Sequence, residues 1–510
     1  MRAISSSGPL MWRQRAPVLV LALSASVVGC AVGPDFHQPL APAVTGYTVA
    51  PQPTQIAATD APGGQAQQLN ADQVITADWW TLFQSETLDH LVSQALSASP
   101  TLVQAKAKLQ QAQQDLRAQV GSTQYPQVDG TLSTTREKFG LQSFGLTSVP
   151  SMGPFTLYDA AVNVSYSLDL FGANRRELEA MRAEVDYQRF EFEAARLSLA
   201  ANVVTAAIRE ASLREQIKTT EALIAAQGQQ LAITQERYRL GGVTRLDVKS
   251  QHTQTAQTRA SLPPLQKTLA QTHHQLAVYL GEPPSSTDIP EVHLQELQLP
   301  ATLPLTLPSS LARQRPDIRA AEALLHQASA NVGVATANLY PKLTLSASVG
   351  SEAISASKLF GSGAQVWNIG ATLTQPIFHG GELRARRRSA IAAYEQASAA
   401  YQQVVLQGLQ NVADVLRALE SDANTLHEVA DASAQAREAY QITVAQQKIG
   451  GVSQLAMLDA ERQYLQTSLQ QVQATADRYA DSAALLQALG GGWWNQGDGE
   501  TASNKHRQQQ

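Results

Sequence analysis

The chain repeats itself over a long distance, and this duplication limits the folds open to it more than any other feature. Residues 97–126 correspond to residues 313–341, and each copy is a helix-favouring stretch that closes with Tyr-Pro. RLGGVTRLDVKSQ at 239–251 likewise corresponds to KIGGVSQLAMLDA at 448–460. The copies lie about 210 residues apart, which is the signature of an internal repeat. The sequence therefore predicts two halves built on the same plan.

Each half contains a very long stretch that favours a helix. No proline occurs between Phe155 and Leu262, and apolar residues recur about every 3.5 residues across 178–224. At about 1.5 Å per residue, a helix over 175–240 would extend roughly 100 Å. Residues 382–449 predict a second helix of the same length.

Both predicted helices end in a pair of glycines, Gly241-Gly242 in the first half and Gly450-Gly451 in the second. Helical patterns resume after each pair, and glycine is the residue that most often ends a helix. Each half is therefore predicted to form a long antiparallel helical hairpin with the glycines in its turn. Pro263-Pro264 is predicted to kink or interrupt the first returning helix.

Four shorter segments alternate between apolar and polar residues with a period of two. They are residues 128–134, 158–169, 342–349 and 367–374, of which the first is the weakest. This alternation is typical of a tilted membrane strand with one lipid face and one wet face, but a sheet packed on helices shows it equally. The connections over 136–157 and 350–366 are rich in Gly, Ser and Phe, as exposed loops are. This composition favours membrane strands.

Four strands are too few to close a barrel in a membrane. The smallest membrane barrels have about eight strands, and an open sheet edge is not tolerated in lipid. The chain is therefore predicted to oligomerise: two copies would give eight strands filled by side chains, and three copies would give twelve strands with room for a lumen.

The N-terminus has the layout of an export signal. Three arginines precede an apolar run over 16–28, and Gly29 stands directly before Cys30, the only cysteine of the 510 residues. The run is too short to span a bilayer as a helix. Val27-Val28-Gly29-Cys30 resembles a bacterial lipobox, which predicts that Cys30 carries covalent lipid after cleavage.

The domain organisation follows from these features. We predict a lipoprotein signal peptide, an extended proline-rich strap that carries the lipid anchor, two structural repeats and a disordered C-terminal tail. Their bounds are 1–29, 30–70, 71–290, 291–494 and 495–510, in that order.

Several motifs together resemble the TolC-like outer-membrane efflux factors, in particular their lipoprotein branch, the NodT type of RND efflux channels. They are CAVGPDFHQP (30–39), DWWTLF (78–83), LPSSLARQRPDIRAAE (307–322), GVATANLYPKLTLSASVG (333–350) and ALGGGW (488–493). The resemblance implies a mainly α fold in which the long hairpins form a periplasmic α-barrel. It also implies that each chain adds four strands to a trimeric, twelve-stranded membrane β-barrel.

The same resemblance implies a function and partners. The protein would be the outer-membrane channel of a tripartite efflux system, a passive duct for small molecules that is closed at its periplasmic end until the assembly opens it. Its expected partners are two further copies of itself, a periplasmic adaptor protein, an inner-membrane RND-type pump and outer-membrane lipid. Ala31, directly after the cysteine, agrees with sorting to the outer membrane of a Gram-negative cell.

A gate is expected where the helical tips converge. In relatives, the returning helix of the second hairpin presents a Leu, an Asp four residues later and an Arg three further on; Leu455, Asp459 and Arg462 match. Symmetry would bring three carboxylates together as a cation-attracting ring, with Asp247 of the first hairpin as the second-choice acidic site. The alternative is that these residues are ordinary coiled-coil surface.

The chain departs from its relatives just before the second turn. Relatives carry Arg-Tyr-Arg there, which the first hairpin keeps as 237–239, whereas the second hairpin reads Gln-Gln-Lys over 446–448. A latch built on that second Arg and Tyr is therefore in doubt.

Enzymatic, metal and nucleic-acid functions are not expected. No catalytic motif occurs, the adjacent His273 and His274 would face different sides of a helix, and no cofactor is expected beyond the lipid on Cys30. A formal net charge of −5 argues against a nucleic-acid partner. Two alternatives to small-molecule efflux stay open: a duct for type I protein secretion, and a periplasmic coiled-coil scaffold lipoprotein without a pore.

Overall fold

The computed structural model describes residues 31–49, 54–71, 73–138 and 153–495. The predicted signal peptide, Cys30 and all but the first residue of the predicted tail lie outside these residues. The helices within them are α1 (Glu86–Ala98), α2 (Pro100–Gln124), α3 (Ala173–Arg239), α4 (Arg245–Tyr279), α5 (Pro308–Gln314), α6 (Pro316–Ala337), α7 (Glu382–Lys448) and α8 (Gln454–Ala488). The strands are β1 (Gln55–Ile56), β2 (Gln67–Asn70), β3 (Gln127–Glu137), β4 (Phe155–Leu168), β5 (Thr302–Pro304), β6 (Lys342–Ala353) and β7 (Gln365–Thr374).

The described residues divide into two compact units that cut across the sequence repeats. The first contains the described residues up to Gln38 together with Gln110–Tyr187 and Glu322–Ala400; the second contains Pro39–Leu109, Gln188–Ala321 and the described residues from Tyr401 onward. Each unit thus combines segments from both halves of the duplication. Among the described residues, no helix combines the length and the apolar character needed to cross a membrane.

The first unit contains a four-stranded antiparallel sheet in the order β3-β4-β6-β7. All four strands come from segments with the period-two pattern, although each extends further into its connection than that pattern predicts. Long antiparallel strands form here because β-branched and aromatic residues alternate with small polar ones, which suits a sheet with two different faces.

The register places the apolar residues of all four strands on one face. Val162 of β4 pairs with Gly130 of β3 and with Val349 of β6, which in turn pairs with Trp367 of β7. Directly paired residues point to the same side of a sheet, so these side chains form one apolar band. The opposite face is polar: Asn163 donates to Thr131 Oγ1 over 3.0 Å.

The strap contributes two short strands to a small sheet, a pairing that its sequence does not predict. β1 and β2 pair antiparallel, and β2 pairs in parallel with β5 near the start of the second repeat. The completely buried Gln67 also donates to the Pro300 carbonyl over 3.1 Å. A proline-rich segment that finds a sheet edge can satisfy its backbone there, and the sequence of the strap alone does not reveal that edge.

The main hydrophobic core lies in the second unit. Leu88, Leu91, Val92 and Ala95 of α1, which repeat at helical spacing in the sequence, are completely buried there with the aromatic rings of Trp79 and Phe83. Most of the core side chains come from α1, α3, α7, α8 and the segment before β5. α1 begins at Ser85, whose hydroxyl accepts a hydrogen bond from the Leu88 amide, as a helix N-cap does.

α4 continues through Pro263 and Pro264 without interruption. A proline inside a helix removes one backbone hydrogen bond and crowds the preceding turn. The helix is nevertheless maintained on both sides of the pair, with Thr258 and Thr272 buried in its packed face. Packing along a long helix can outweigh the local cost of a proline.

Candidate functional site

The two helical hairpins turn with the same backbone geometry. Gly241 and Gly450 both have φ of 78°, a left-handed conformation that glycine adopts without strain. The next glycine closes each turn: Gly242 N donates to Arg237 O over 2.7 Å, and Gly451 N donates to Gln446 O over 2.9 Å. All four glycines singled out in the sequence therefore lie at the hairpin turns.

The returning helices begin with different caps. Thr244 and Asp247 form a capping box at the start of α4: Asp247 Oδ2 accepts from Thr244 N over 2.8 Å and from Thr244 Oγ1 over 2.7 Å. At the start of α8, Ser453 Oγ accepts from Ala456 N over 3.1 Å, and Ala456 occupies the position that corresponds to Asp247. The Asp247 carboxylate is thus engaged in holding the first turn of α4.

Leu455, Asp459 and Arg462 lie on the exposed surface of the first turns of α8. Leu455 is 64% exposed, and Asp459 follows one helical turn later on the same face. Asp459 Oδ1 and Arg462 Nη2 are 3.3 Å apart, with both side chains more than half exposed. Such an exposed ion pair contributes about 0–1 kcal/mol to the stability of the fold. A stabilising role therefore does not account for the presence of Asp459 and Arg462 at these positions.

The structure also identifies a leucine that the sequence reasoning missed. Leu246 of α4 occupies the position that corresponds to Leu455, and its side chain is 72% exposed. A strict alignment of the two Gly-Gly blocks would have found it, because both blocks place a leucine five residues after the first glycine. Each hairpin therefore presents an unburied leucine just after its turn.

Beneath the exposed residues, the helices near the turns pack through polar side chains. Gln251 of α4, Gln447 of α7 and Gln454 of α8 are buried and hydrogen-bonded to one another. Seven residues after Gln454, Glu461 is completely buried and accepts a hydrogen bond from Tyr440 of α7 over 3.1 Å. A spacing of seven residues is typical of side chains buried between packed helices. Glutamine and glutamate, taken as residue types alone, would instead predict a solvent-exposed face.

Glu461 is a buried carboxyl with an altered protonation equilibrium. Burial raises the pKa of Glu461 above its ordinary value, and the hydrogen bond from Tyr440 of α7 acts against that rise. When the pKa of a carboxyl is higher in the folded state than in the unfolded state, its contribution to stability is fully present below the unfolded pKa, here near 4.5. That contribution is lost as the pH rises through the folded-state pKa.

We therefore expect the substitution Glu461→Gln to change the pH dependence of stability. The unfolding temperature of the variant should rise relative to that of the original protein as the pH increases above about 4.5, because the glutamine never has to carry a buried charge. Thermal unfolding measured at several pH values checks this. A difference between the two proteins that stays constant with pH would contradict it.

The adjacent residues His273 and His274 both lie on α4. His273 Nδ1 lies 3.1 Å from Glu210 Oε1 and thus makes a local polar contact across α3 and α4. In the described ranges, no group of three or more His, Cys, Asp or Glu residues could hold a metal ion.

Comparisons with known proteins agree with this architecture. The family model described as outer membrane efflux protein matches residues 91–282 and 307–491, together more than half of the chain. Over 421 residues the chain is 31% identical to OpmQ, the pyoverdine export outer membrane protein of Pseudomonas aeruginosa, which covers 81% of this chain and 87% of OpmQ. It is 26% identical over 484 residues to the cation efflux system protein CusC of Escherichia coli, covering 93% of this chain and 98% of CusC.

Solved structures show the same fold. The outer-membrane channel OprN superposes with a TM-score of 0.80 at 29% identity, over 91% of this chain and 100% of that one. The outer membrane protein VceC of Vibrio cholerae superposes with a TM-score of 0.75 at 28% identity, over 82% of this chain and 100% of that one. The predicted TolC-like fold is confirmed, and the chain belongs to the outer membrane efflux protein family.

Proposed function

We propose that this protein is the outer-membrane channel of a tripartite efflux system and that it works as a passive duct for small molecules. The observation that carries the proposal is the sheet β3-β4-β6-β7. It has one continuous apolar face, and within the described residues its outer strands β3 and β7 each pair on one side only. Open edges beside an apolar face require further strands from another chain if the sheet lies in lipid.

Three copies satisfy this requirement and leave a passage. Twelve strands enclose a lumen, whereas eight are filled by their own side chains. The polar face, which includes Asn163 and Thr131, would then line the passage, and the apolar face would contact lipid. We therefore propose a homotrimer.

The hairpin turns form the periplasmic end of the duct and carry its gate. Three-fold symmetry would bring Leu455, Asp459 and Arg462 of each copy around the axis, where leucine narrows the passage and the carboxylates attract cations. The exposure of Leu455 and Asp459 supports this role, because within the described residues both side chains stay more than half exposed and thus accessible to other copies. Asp247 is the second acidic candidate, although its carboxylate also caps α4.

The partners of the duct are a periplasmic adaptor and an inner-membrane RND-type pump. The residue directly before each glycine pair is apolar and exposed: Leu240 in the first hairpin and Ile449 in the second. These residues offer the adaptor an apolar contact at each hairpin. The names of the relatives, which refer to pyoverdine export and to cation efflux, support small solutes as cargo.

Cys30 anchors the strap in the outer membrane through covalent lipid. Support comes from the strap directly after it: Val32 N donates to Phe171 O over 3.1 Å, and Asp35 pairs with Arg176 over 2.6 Å. A Cβ on Gly172 would lie only 2.7 Å from Ala31 Cα, so the residue after Cys30 is held close to the end of β4. An acyl chain at this position could enter the same membrane as the sheet.

Electrical recording tests the proposed function. The protein purified from membranes should run as a trimer and conduct ions in a planar bilayer, and its gene should restore export to a strain that lacks its own channel. A protein that is purified in native form, inserts into no bilayer and conducts nothing would favour a scaffold lipoprotein instead.

The lipid on Cys30 makes a separate prediction. Mass spectrometry of the N-terminal peptide from the native host should find acyl chains on Cys30, and Cys30→Ser should abolish them. The variant should still insert, because a closed barrel is held in the membrane by its own apolar face. An unmodified Cys30 thiol in the native host would refute the lipid attachment and leave the channel proposal intact.

A further inference from the structure

The sequence repeat relates two pairs of aromatic residues at the end of the four-stranded sheet nearest the helices. Tyr340 stands two residues before β6, and its counterpart Tyr125 stands two residues before β3. Phe171 follows β4, and its counterpart Phe378 follows β7. A contact between Phe171 and Tyr340 therefore has a possible counterpart between Phe378 and Tyr125.

The first pair is in contact within the chain. The rings of Phe171 and Tyr340 are stacked, with their centroids 4.8 Å apart. The ladder between β4 and β6 begins directly beside this stack, where Leu168 pairs with Leu343. The stack and the ladder together join the strand that ends one half-sheet to the strand that begins the next.

The second pair cannot meet inside one chain. β3 and β7 are the outer strands of the sheet, so Tyr125 and Phe378 lie at its opposite edges. Tyr125 is 63% exposed and Phe378 is 86% exposed. Exposed aromatic rings beside an open sheet edge mark a surface that another chain covers.

The helices that lead into the sheet show the same contrast. α6, which precedes β6, is mostly buried or half-buried, and Gln327 Nε2 of α6 donates to Glu184 Oε2 of α3 over 3.0 Å. Its counterpart α2, which precedes β3, is exposed along most of its length from Gln110 onward. The copy of this helix that has a neighbour in its own chain is thus covered, and the other copy is open to a neighbour from another chain.

We propose that β7 of one copy pairs with β3 of the next in the register that β4 and β6 use within the chain, and that Phe378 stacks on Tyr125 of the partner subunit. This inference rests on the proposed function and specifies how its three copies join. The pairing of Val162 with Val349, transferred by the sequence repeat, places Ile369 opposite Thr134 of the partner subunit.

This register keeps the faces of the sheet continuous from copy to copy. Gly130, Val162, Val349 and Trp367 form one row of paired residues across the chain. The proposed pairing continues that row to Arg136 of the partner subunit, six residues beyond Gly130. An even shift leaves the apolar side chains on one side of the sheet. Six residues per chain in twelve strands correspond to a strand tilt of about 45°, as membrane barrels have.

The register also gives a partner to a charge on the apolar face. Arg136 lies at the end of β3 away from the helices, on the same side as Val162, and its Nη1 donates to Thr156 Oγ1 over 3.3 Å. The exposed indole of Trp367 would lie opposite it, from the partner subunit. A guanidinium over an indole ring gains cation–π attraction. The joint between copies is thus closed by a ring stack at one end and by a cation–π pair at the other.

Disulfide cross-linking tests the register. In the Cys30→Ser background, which contains no other cysteine, Thr134→Cys with Ile369→Cys should form disulfides under mild oxidation. Directly opposite Cβ atoms of antiparallel strands lie about 4.5–5.5 Å apart, close to the separation that a disulfide needs. β4 and β6 separate the two sites within one chain, so the link must join two copies. Denaturing gels without reductant should show covalent trimers.

Two shifted pairs are the matched controls. Leu132→Cys with Ile369→Cys, and Arg136→Cys with Ile369→Cys, place the thiols on the same face but two residues out of register. Such diagonal neighbours lie about 7–8 Å apart, so both pairs should link several-fold less than Thr134→Cys with Ile369→Cys. A shifted pair that links as well as the proposed pair, or better, would overturn the register.

The ring stack has its own test in the heat resistance of the trimer. Phe378→Leu and Tyr125→Leu should each lower the temperature at which trimers dissociate in detergent, and the double variant should lower it little further, because both changes remove one contact. Ile377→Ala, at the exposed position next to Phe378, should leave that temperature unchanged. No decrease in the single variants, or decreases that simply add in the double variant, would refute the stack.

The joint and the proposed function fail in different ways. If the original protein forms conducting trimers and the proposed cysteine pair does not link them, the register is wrong and the duct remains. If the original protein stays monomeric in membranes and conducts nothing, both the proposed function and the joint are wrong.

Discussion

An arginine at Val162 should prevent the sheet from assembling in the membrane. Val162 lies at the middle of β4, and its register partners Gly130 and Val349 place it within the apolar band. Arginine on the lipid face near the bilayer midplane costs roughly 2–4 kcal/mol, and a trimer would carry three copies of that cost. We expect Val162→Arg to lower the yield of trimers in unheated gels and their resistance to urea in lipid vesicles.

The neighbouring position supplies the control. Asn163 lies on the opposite face, paired with Asp129 and Ser348. An arginine there would project into the aqueous lumen beside an acidic residue, so Asn163→Arg should assemble normally. If both variants assembled equally well, or equally badly, the assignment of the two faces would be wrong.

Removal of the proposed gate residues should produce a more open duct. Leu455 narrows the passage by its volume, and three copies of Asp459 would attract cations to the same level. We expect Leu455→Ala with Asp459→Ala to raise the conductance of the isolated trimer. Asp459→Ala alone should weaken cation preference and block by divalent cations. Single-channel recordings in planar bilayers measure both effects.

Asp431→Ala offers a comparison for charge alone, since Asp431 is an exposed aspartate of α7 far along the chain from the turns. It should leave conductance and selectivity unchanged. Unchanged conductance in the double variant would move the constriction away from Leu455 and Asp459. Asp247→Asn and Leu246→Ala in the first hairpin would then be the next variants to record.

Local sequence patterns were sufficient to identify the long helices and the four amphipathic strands. The heptad-like spacing of apolar residues predicts α3, and the period-two alternation predicts β3, β4, β6 and β7 with their apolar face. These predictions succeed because side-chain direction follows backbone period in both structures. The Gly-Gly pairs locate the turns for the same kind of reason, since few other residues adopt a left-handed backbone without strain.

Local patterns do not reveal contacts with segments that are distant in the chain. The sequence of the strap does not predict that β2 pairs with β5, more than two hundred residues later in the chain. Pro263 and Pro264 were predicted to kink or interrupt the helix, and the structure shows that they do not interrupt it. In both cases the outcome depends on partners distant in sequence.

The sequence by itself determined the duplication, the two long hairpins, the four amphipathic strands and the positions of the turns, because each depends on periodicity or on a residue's own backbone preference. Only the tertiary structure decided which polar residues near the turns are buried. Gln447 and Tyr238 occupy corresponding positions in the two hairpins, yet the first is buried and the second is half exposed. A glutamine at heptad spacing looks the same in sequence whether it faces water or another helix, and the difference arises only when α4, α7 and α8 pack together.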